Sequence, residues 1–149
     1  MLHSRHKAIR QHLAISSEIV GYEPCKNKGK STCSLNQLIH VGANSYNALI
    51  SFDVIEHLDI HDSALIVPEL FRISQDIVIV NISCIAAAKN LPCGNNAHTS
   101  ILPHSTWGMM FWQEALRTNK HFALFCTVSQ TQDSFIHNIP LERYHKAFW

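Results

Sequence analysis

The run DIVIVNISC, from Asp76 to Cys84, constrains the fold more than any other part of the sequence. It is rich in β-branched residues and apolar at both alternating sets of positions, which is typical of a central strand in a parallel sheet. Helices and further strands are predicted on both sides of it, in the alternating order of an α/β protein. We therefore expect an α/β protein in which this strand lies at the centre of a parallel sheet.

The other elements follow from apolar periodicity and from turn residues. The predicted helices are residues 2–16, residues 62–74, in which Pro68 forms a kink or a new start, and a helix from an N-cap at Ser105 through Asn119. The other predicted strands are Glu18–Tyr22, Ala48–Phe52, Phe122–Val128 and the weaker Phe135–Ile139. Residues 35–41 are apolar without a clear type, and residues 85–104 form a long connection, a kind of segment that is usually functional or disordered.

The composition of the chain limits the kinds of protein that it can be. A length of 149 residues suits one domain, 1–149, and a net charge of +1 gives no reason to expect nucleic acid or an anionic membrane as partner. No apolar run reaches the roughly 18 residues of a membrane span, and the N-terminal residues lack the apolar region of a signal peptide. Five cysteines without a CxxC motif favour reduced thiols and a cytoplasmic location.

Chemistry-bearing side chains follow the predicted strands. Glu23 lies where a carboxylate accepts hydrogen bonds from the two ribose hydroxyls of a nucleotide, although a surface turn explains it equally well. Asp53, Glu56 and His57 follow the strand Ala48–Phe52, at the sheet edge where α/β proteins bind ligands. The alternatives are a helix N-cap for Asp53 and a packing role for His57.

The long connection carries a second polar group. Asn96 and His98 are expected to point into the cleft as the connection folds over the strand ends. The aromatic residues after it, Trp107, Phe111 and Trp112, are more typical of a core than of a substrate wall.

Several segments together resemble the class I S-adenosylmethionine-dependent methyltransferases, and within them a bacterial and phage group. The matching segments, within residues 18–128, are YNALISFDVIEHL, PELFRIS, DIVIVNIS, AAAKNLPCGNNAH and STWGMMFW. The resemblance implies a three-layer Rossmann-like methyltransferase fold whose sheet is mostly parallel with an antiparallel last strand. It also implies S-adenosylmethionine as cofactor and a small-molecule or sugar-like methyl acceptor.

The resemblance also implies roles for individual residues. The cofactor-binding set is Glu23, Phe52, Asp53 and Glu56. His57 and His98 are the catalytic candidates, either one serving as general base toward an acceptor hydroxyl. Asn96 and Trp107 are the substrate candidates.

The sequence departs from the family at its most specific motif. A first strand with a glycine-rich turn is missing, since no GxG occurs and Gly21 is the first glycine. Asn47, Cys93 and Asn95 also replace family residues. Because the missing strand belongs in mid-sheet, we expect a partial domain in which the neighbouring strands pair directly, residues 35–41 move in, or another chain covers the exposed edge.

Three alternatives to an active methyltransferase remain open. The chain is an inactive homologue that acts as an interaction or regulatory subunit, with self-association through an exposed edge. It holds a metal through His57 and His61, four residues apart on one helix, with Cys93 and His98. It uses Cys84 or Cys93 with His98 as a nucleophile pair. The last two are weak, and no metal ligand is assigned.

Overall fold

A computed structural model describes residues 35–140. The predicted helix 2–16, the predicted strand Glu18–Tyr22 and Glu23 lie outside the described residues. The elements in chain order are a 3-10 helix Leu35–His40, strand β1 Tyr46–Phe52, a short 3-10 turn Ile55–His57, helix α1 Ile60–Ile73, strand β2 Ser74–Ser83, helix α2 His104–Thr118, strand β3 His121–Thr127 and strand β4 Asp133–His137.

The four strands form one sheet in the order β1-β2-β3-β4. β1 and β3 flank β2 and are parallel to it, while β4 pairs with β3 in the antiparallel direction. The α/β class and the mostly parallel sheet with an antiparallel last strand are therefore confirmed. The central position predicted for DIVIVNISC is also confirmed, because β2 has a partner on each side.

Both helices pack on one face of the sheet. Alternate residues of β2, namely Val78, Val80 and Ile82, are fully buried and belong to the same core cluster as Phe71 of α1 and Phe111 of α2. The described helices and strands thus form two layers, and the predicted three-layer arrangement is not confirmed within residues 35–140.

The other face of the sheet is largely open within residues 35–140. Ile50, Phe125 and Phe135 expose 45%, 41% and 48% of their surface there, and the two phenylalanine rings stack with centroids 4.5 Å apart. Among residues 35–140, β1 has β2 as its one partner and forms one edge of the sheet that these residues build.

The structure excludes one of the alternatives given for the missing strand and corrects the predicted start of one helix. Residues 35–41 do not join the sheet, because Leu35–His40 is a 3-10 helix that Arg72 of α1 holds through hydrogen bonds to the carbonyls of Leu38 and Val41, at 3.0 and 2.7 Å. Helix α2 begins one residue before Ser105, and the residue at its N-cap is Pro103, which makes no side-chain capping bond.

Within residues 35–140, neither helix has the length and the apolar character that crossing a membrane requires.

Candidate functional site

The turn after β1 brings two site residues to the carboxyl ends of β1 and β2. Asp53 leaves the strand with φ at 53°, a left-handed conformation that Asp tolerates better than most residues. Its N–H still donates to the carbonyl of Asn81 on β2, at 3.3 Å. The chain then makes the 3-10 turn that contains Glu56 and His57, in place of the helix that was expected after the strand.

The long connection folds back over this turn, as the sequence predicted. The N–H groups of Thr99 and Ser100 donate to the carbonyl of Glu56, at 2.8 and 3.0 Å. Both hydroxyls donate to the carbonyl of Leu58, each at 2.6 Å. These four bonds hold the end of the connection against the residues that follow β1.

Asn96 fixes the shape of the connection. Its Oδ1 accepts from the N–H groups of Ala87 and His98, at 2.9 and 3.0 Å, and its Nδ2 donates to the carbonyl of Ala87 at 2.9 Å. Because the amide already has these partners, it positions His98 and has little capacity left for the substrate contact that the sequence predicted.

Glu56 is a buried carboxyl group with only one of its oxygens paired. The residue exposes 0% of its surface, its Oε1 accepts from the N–H of Ser83 at 3.1 Å, and its Oε2 is buried without a hydrogen-bond partner. Burial raises the pKa of Glu56, and backbone N–H donors and His57 oppose that rise.

His57 and His98 are held in the same way. Nδ1 of His57 lies 2.8 Å from the carbonyl oxygen of Ala97, and Nδ1 of His98 lies 2.6 Å from that of Ile85. A carbonyl oxygen only accepts, so Nδ1 carries the hydrogen in each ring. In the neutral imidazole this leaves Nε2 without a proton and free to act as a base or as a metal ligand.

The three side chains form a compact cluster. The two imidazole rings meet edge to face with centroids 4.8 Å apart. One potential ligand atom from each of Glu56, His57 and His98 lies within 4.8 Å of the others. The buried carboxylate and two oriented imidazoles therefore form a site for proton transfer or for a metal ion, and we call it the Glu56–His57–His98 cluster.

An open cleft of about 590 Å³ adjoins the cluster. His57 and His98 line it, together with Ser83 at the end of β2 and Gln130, which follows β3. The remaining lining residues belong to the connection and are Ile85, Ala86, Ala87, Ala88, Lys89 and Ala97. The walls are mainly small and apolar, and the polar side chains among the lining residues are those of the two histidines, Ser83, Lys89 and Gln130.

The other predicted site residues lie outside the lining of this cleft. Phe52 is half-buried at the end of β1, and Asp53 is exposed next to it. Asp53 is close enough for its charge to raise the pKa of Glu56 slightly, behind the larger effect of burial. Trp107 is fully buried in the core, which is the alternative interpretation given for the aromatic stripe.

The structure bears on one premise of each of the two weaker hypotheses, the metal site that includes His57 and His61 and the cysteine–histidine nucleophile pair. His57 belongs to the 3-10 turn and His61 to α1, so the two residues do not share a helix. Burial raises the pKa of the Cys84 thiol, which opposes formation of the thiolate that a nucleophile needs.

The sequence did not reveal the backbone groups that orient the cluster. The N–H of Ser83 and the carbonyls of Ile85 and Ala97 hold the three site side chains. Any residue supplies such groups, so no side-chain pattern marks them.

Comparison with known proteins gives no relative: no family model, no curated protein and no solved structure matches this chain.

Proposed function

We propose that this protein is an S-adenosylmethionine-dependent methyltransferase that transfers methyl to a hydroxyl of a small-molecule or sugar-like acceptor. One observation carries the proposal. Two imidazoles whose Nδ1 atoms are held by backbone carbonyls, those of His57 and His98, line an open cleft at the carboxyl ends of parallel strands. Open α/β sheets bind their ligands at this edge.

The cluster supplies the proton transfer that this reaction needs. The acceptor oxygen attacks the methyl carbon of the sulfonium, the carbon–sulfur bond breaks, and S-adenosylhomocysteine leaves. The hydroxyl proton passes to Nε2 of His57 or His98, so the charges balance. Positioning of the two substrates supplies much of the rate in such an in-line displacement, and a placed base adds about 10²- to 10⁴-fold.

Cofactor contacts in this proposal come from residues on the same sheet edge. Phe52 and Asp53 end β1 and lie beside the turn that carries Glu56. The proposal assigns the cofactor ribose to Glu23. It also places the protein in the cytoplasm, where unpaired thiols such as Cys84 and Cys126 persist.

Calorimetric titration of the full chain with S-adenosylmethionine and with S-adenosylhomocysteine tests the proposal. We expect saturable heat from both ligands, and Asp53→Asn is expected to weaken binding. An absence of heat at millimolar ligand would reject the methyltransferase function. Transfer of labelled methyl to a panel of polyols and sugars then identifies the acceptor, with His61→Asn as the control for changes at His57 and His98.

A second candidate is a non-catalytic interaction subunit that pairs with a second copy of itself through β1. The observation that favours it is the combination of the β1 edge with the exposed Ile50 on the open face. Unpaired strand edges are templates for strand addition, and a charge placed on them blocks pairing.

Light scattering on the full chain across a range of concentrations tests this candidate. We expect a dimer that Ile50→Lys converts to monomer, whereas Gln113→Lys, on an exposed position of α2, leaves it a dimer. A strictly monomeric wild-type chain would contradict it.

A further inference from the structure

We propose that Glu56, His57 and His98 bind a first-row divalent metal ion, such as Zn²⁺, with an open coordination position facing the cleft. Two imidazole nitrogens and one carboxylate oxygen are ligands that suit these ions and not Mg²⁺ or Ca²⁺, which prefer oxygen. Three protein ligands with a fourth position open is the arrangement of catalytic rather than structural zinc sites. The proposal is independent of methyl transfer.

The unpaired oxygen of Glu56 is the first argument. A buried carboxylate oxygen without a partner is costly, and the great majority of buried polar atoms in proteins have a partner. Oε2 of Glu56 has none, while Oε1 is fixed by the N–H of Ser83. A cation between Oε2 and the two histidines supplies the missing partner.

The orientation of the histidines is the second argument. Metal-binding histidines almost always donate their other ring N–H to a carbonyl or carboxylate, which fixes the tautomer and the ring orientation. Both histidines of the cluster make this contact through Nδ1, with the carbonyls of Ala97 and Ile85. Packing alone does not require that both rings, which lie beside one carboxylate, are held through Nδ1 by a backbone carbonyl.

The distances are the third argument. Three ligand atoms at about 2.1 Å from one ion in tetrahedral geometry lie about 3.4 Å from one another. The atoms of the cluster lie within 4.8 Å of one another, so small side-chain rotations bring them into coordination. The ring of His57 is exposed and the ring of His98 is half-buried, so neither rotation requires the core to move.

A bound ion changes the chemistry available in the cleft. The Nε2 atoms become ligands, and the base is then a water or hydroxyl on the open position, whose pKa the ion lowers. An acceptor hydroxyl in the cleft is a suitable occupant of that position.

The test is titration of the full-length chain, without a histidine tag and after removal of metals by chelation, with ZnCl₂ and separately with CoCl₂. The variants His57→Asn and His98→Asn keep an N–H donor near the position of Nδ1 and remove Nε2. The loop bonds therefore survive while the ligand is lost. Glu56→Gln is the third variant, and His61→Asn, an exposed histidine of α1 outside the cluster, is the matched control.

We expect wild type and His61→Asn to bind one equivalent of Zn²⁺. Each cluster variant is expected to bind this equivalent with an affinity lower by about 100-fold or more. Co²⁺ in this equivalent is expected to give visible bands without thiolate charge transfer. Any Zn²⁺ that binds elsewhere in the chain is expected to bind equally to wild type and to every variant, so it does not affect the comparison. The proposal is overturned if wild type binds no metal, or if folded variants, checked by circular dichroism, retain the same equivalent.

Discussion

Asn96 shows how one side chain supports the cleft without facing the ligand. Replacing it with Ala removes three hydrogen bonds to Ala87 and His98 and leaves half-buried backbone groups without these partners. We expect Asn96→Ala to lower the free energy of unfolding by about 2 kcal/mol in urea denaturation. Asn95→Ala, at an exposed neighbour, is the control and is expected to change stability by less than about 0.5 kcal/mol.

An equal effect of the two alanine substitutions would contradict this positioning role. A second readout separates positioning from general stability. Proteolysis under native conditions is expected to cut Asn96→Ala faster within residues 85–99, because the amide closes that part of the connection.

For single residues, the sequence predicted in which part of the fold several site side chains lie, but not what each of them contacts. Glu56 and His57 were expected at the sheet edge because they follow a strand, and His98 was expected in the cleft because the long connection folds over the strand ends. The structure groups these three residues. Glu56 was assigned to the cofactor, yet its burial beside the histidines makes it part of the cluster. Asn96 and Trp107 were predicted to contact the substrate. The structure places the Asn96 amide in hydrogen bonds within the connection and Trp107 in the core, and such burial and pairing depend on how a distant connection folds back.

Lys120 joins three elements at the end of the sheet opposite the cleft. Its Nζ donates to Oδ1 of Asn44, the carbonyl of Phe71 at the end of α1 and the carbonyl of Ser74 at the start of β2, at 2.7, 2.6 and 2.5 Å. Burial lowers the pKa of Lys120. Its ammonium group satisfies carbonyls where the helix ends, a position that favours a positive charge.

Lys120→Met keeps the length of the side chain and removes the donors. We expect the free energy of unfolding to fall by about 2 to 3 kcal/mol, since hydrogen bonds to charged groups contribute about 1.5 to 3 kcal/mol each and a part is regained by burial of the Met side chain. Lys89→Met, at an exposed position, is the matched control. Unchanged stability of Lys120→Met in chemical denaturation would show that the lysine is only a surface residue.

The strands were predictable where the pattern is local. β2, β3 and α1 lie within a few residues of the predicted ranges, since β-branched runs and helical apolar spacing act over one element. The 3-10 helix at Leu35–His40 was not identified, because Arg72 fixes it across more than 30 residues of sequence. The N-cap of α2 was placed at Ser105 on residue preference alone, whereas the chain enters that helix through Pro103.

For the part of the molecule that the structure describes, the α/β class was predictable from the sequence, whereas the face of the sheet that each helix covers was not. Alternation of helices and strands predicts an α/β sheet, but it does not say which face each helix covers. Helices α1 and α2 contact one another on one face, while the exposed rings of Phe125 and Phe135 lie on the other. The expected third layer came from the resemblance, and residues 35–140 do not contain it.

A buried thiol makes the free energy of unfolding depend on pH in the alkaline range. Burial, and then the neighbouring Cys84 thiol and Glu56, raise the pKa of Cys126 from 9.0 to about 12. The unfolded chain therefore loses this proton near pH 9 while the folded chain keeps it. Between these values the unfolded state binds fewer protons, so stability falls as pH rises.

Comparison of wild type with Cys126→Ala isolates this contribution. From pH 8 to pH 10.5 we expect the free energy of unfolding of wild type to fall by on the order of 1 kcal/mol more than that of the variant, a value reduced for partial solvation of the site. Urea denaturation at each pH under reducing conditions measures the difference. Cys93→Ala, which removes an exposed thiol, is the control and is expected to follow wild type. Parallel pH profiles for wild type and Cys126→Ala would mean that the Cys126 thiol titrates in the folded protein as it does in water.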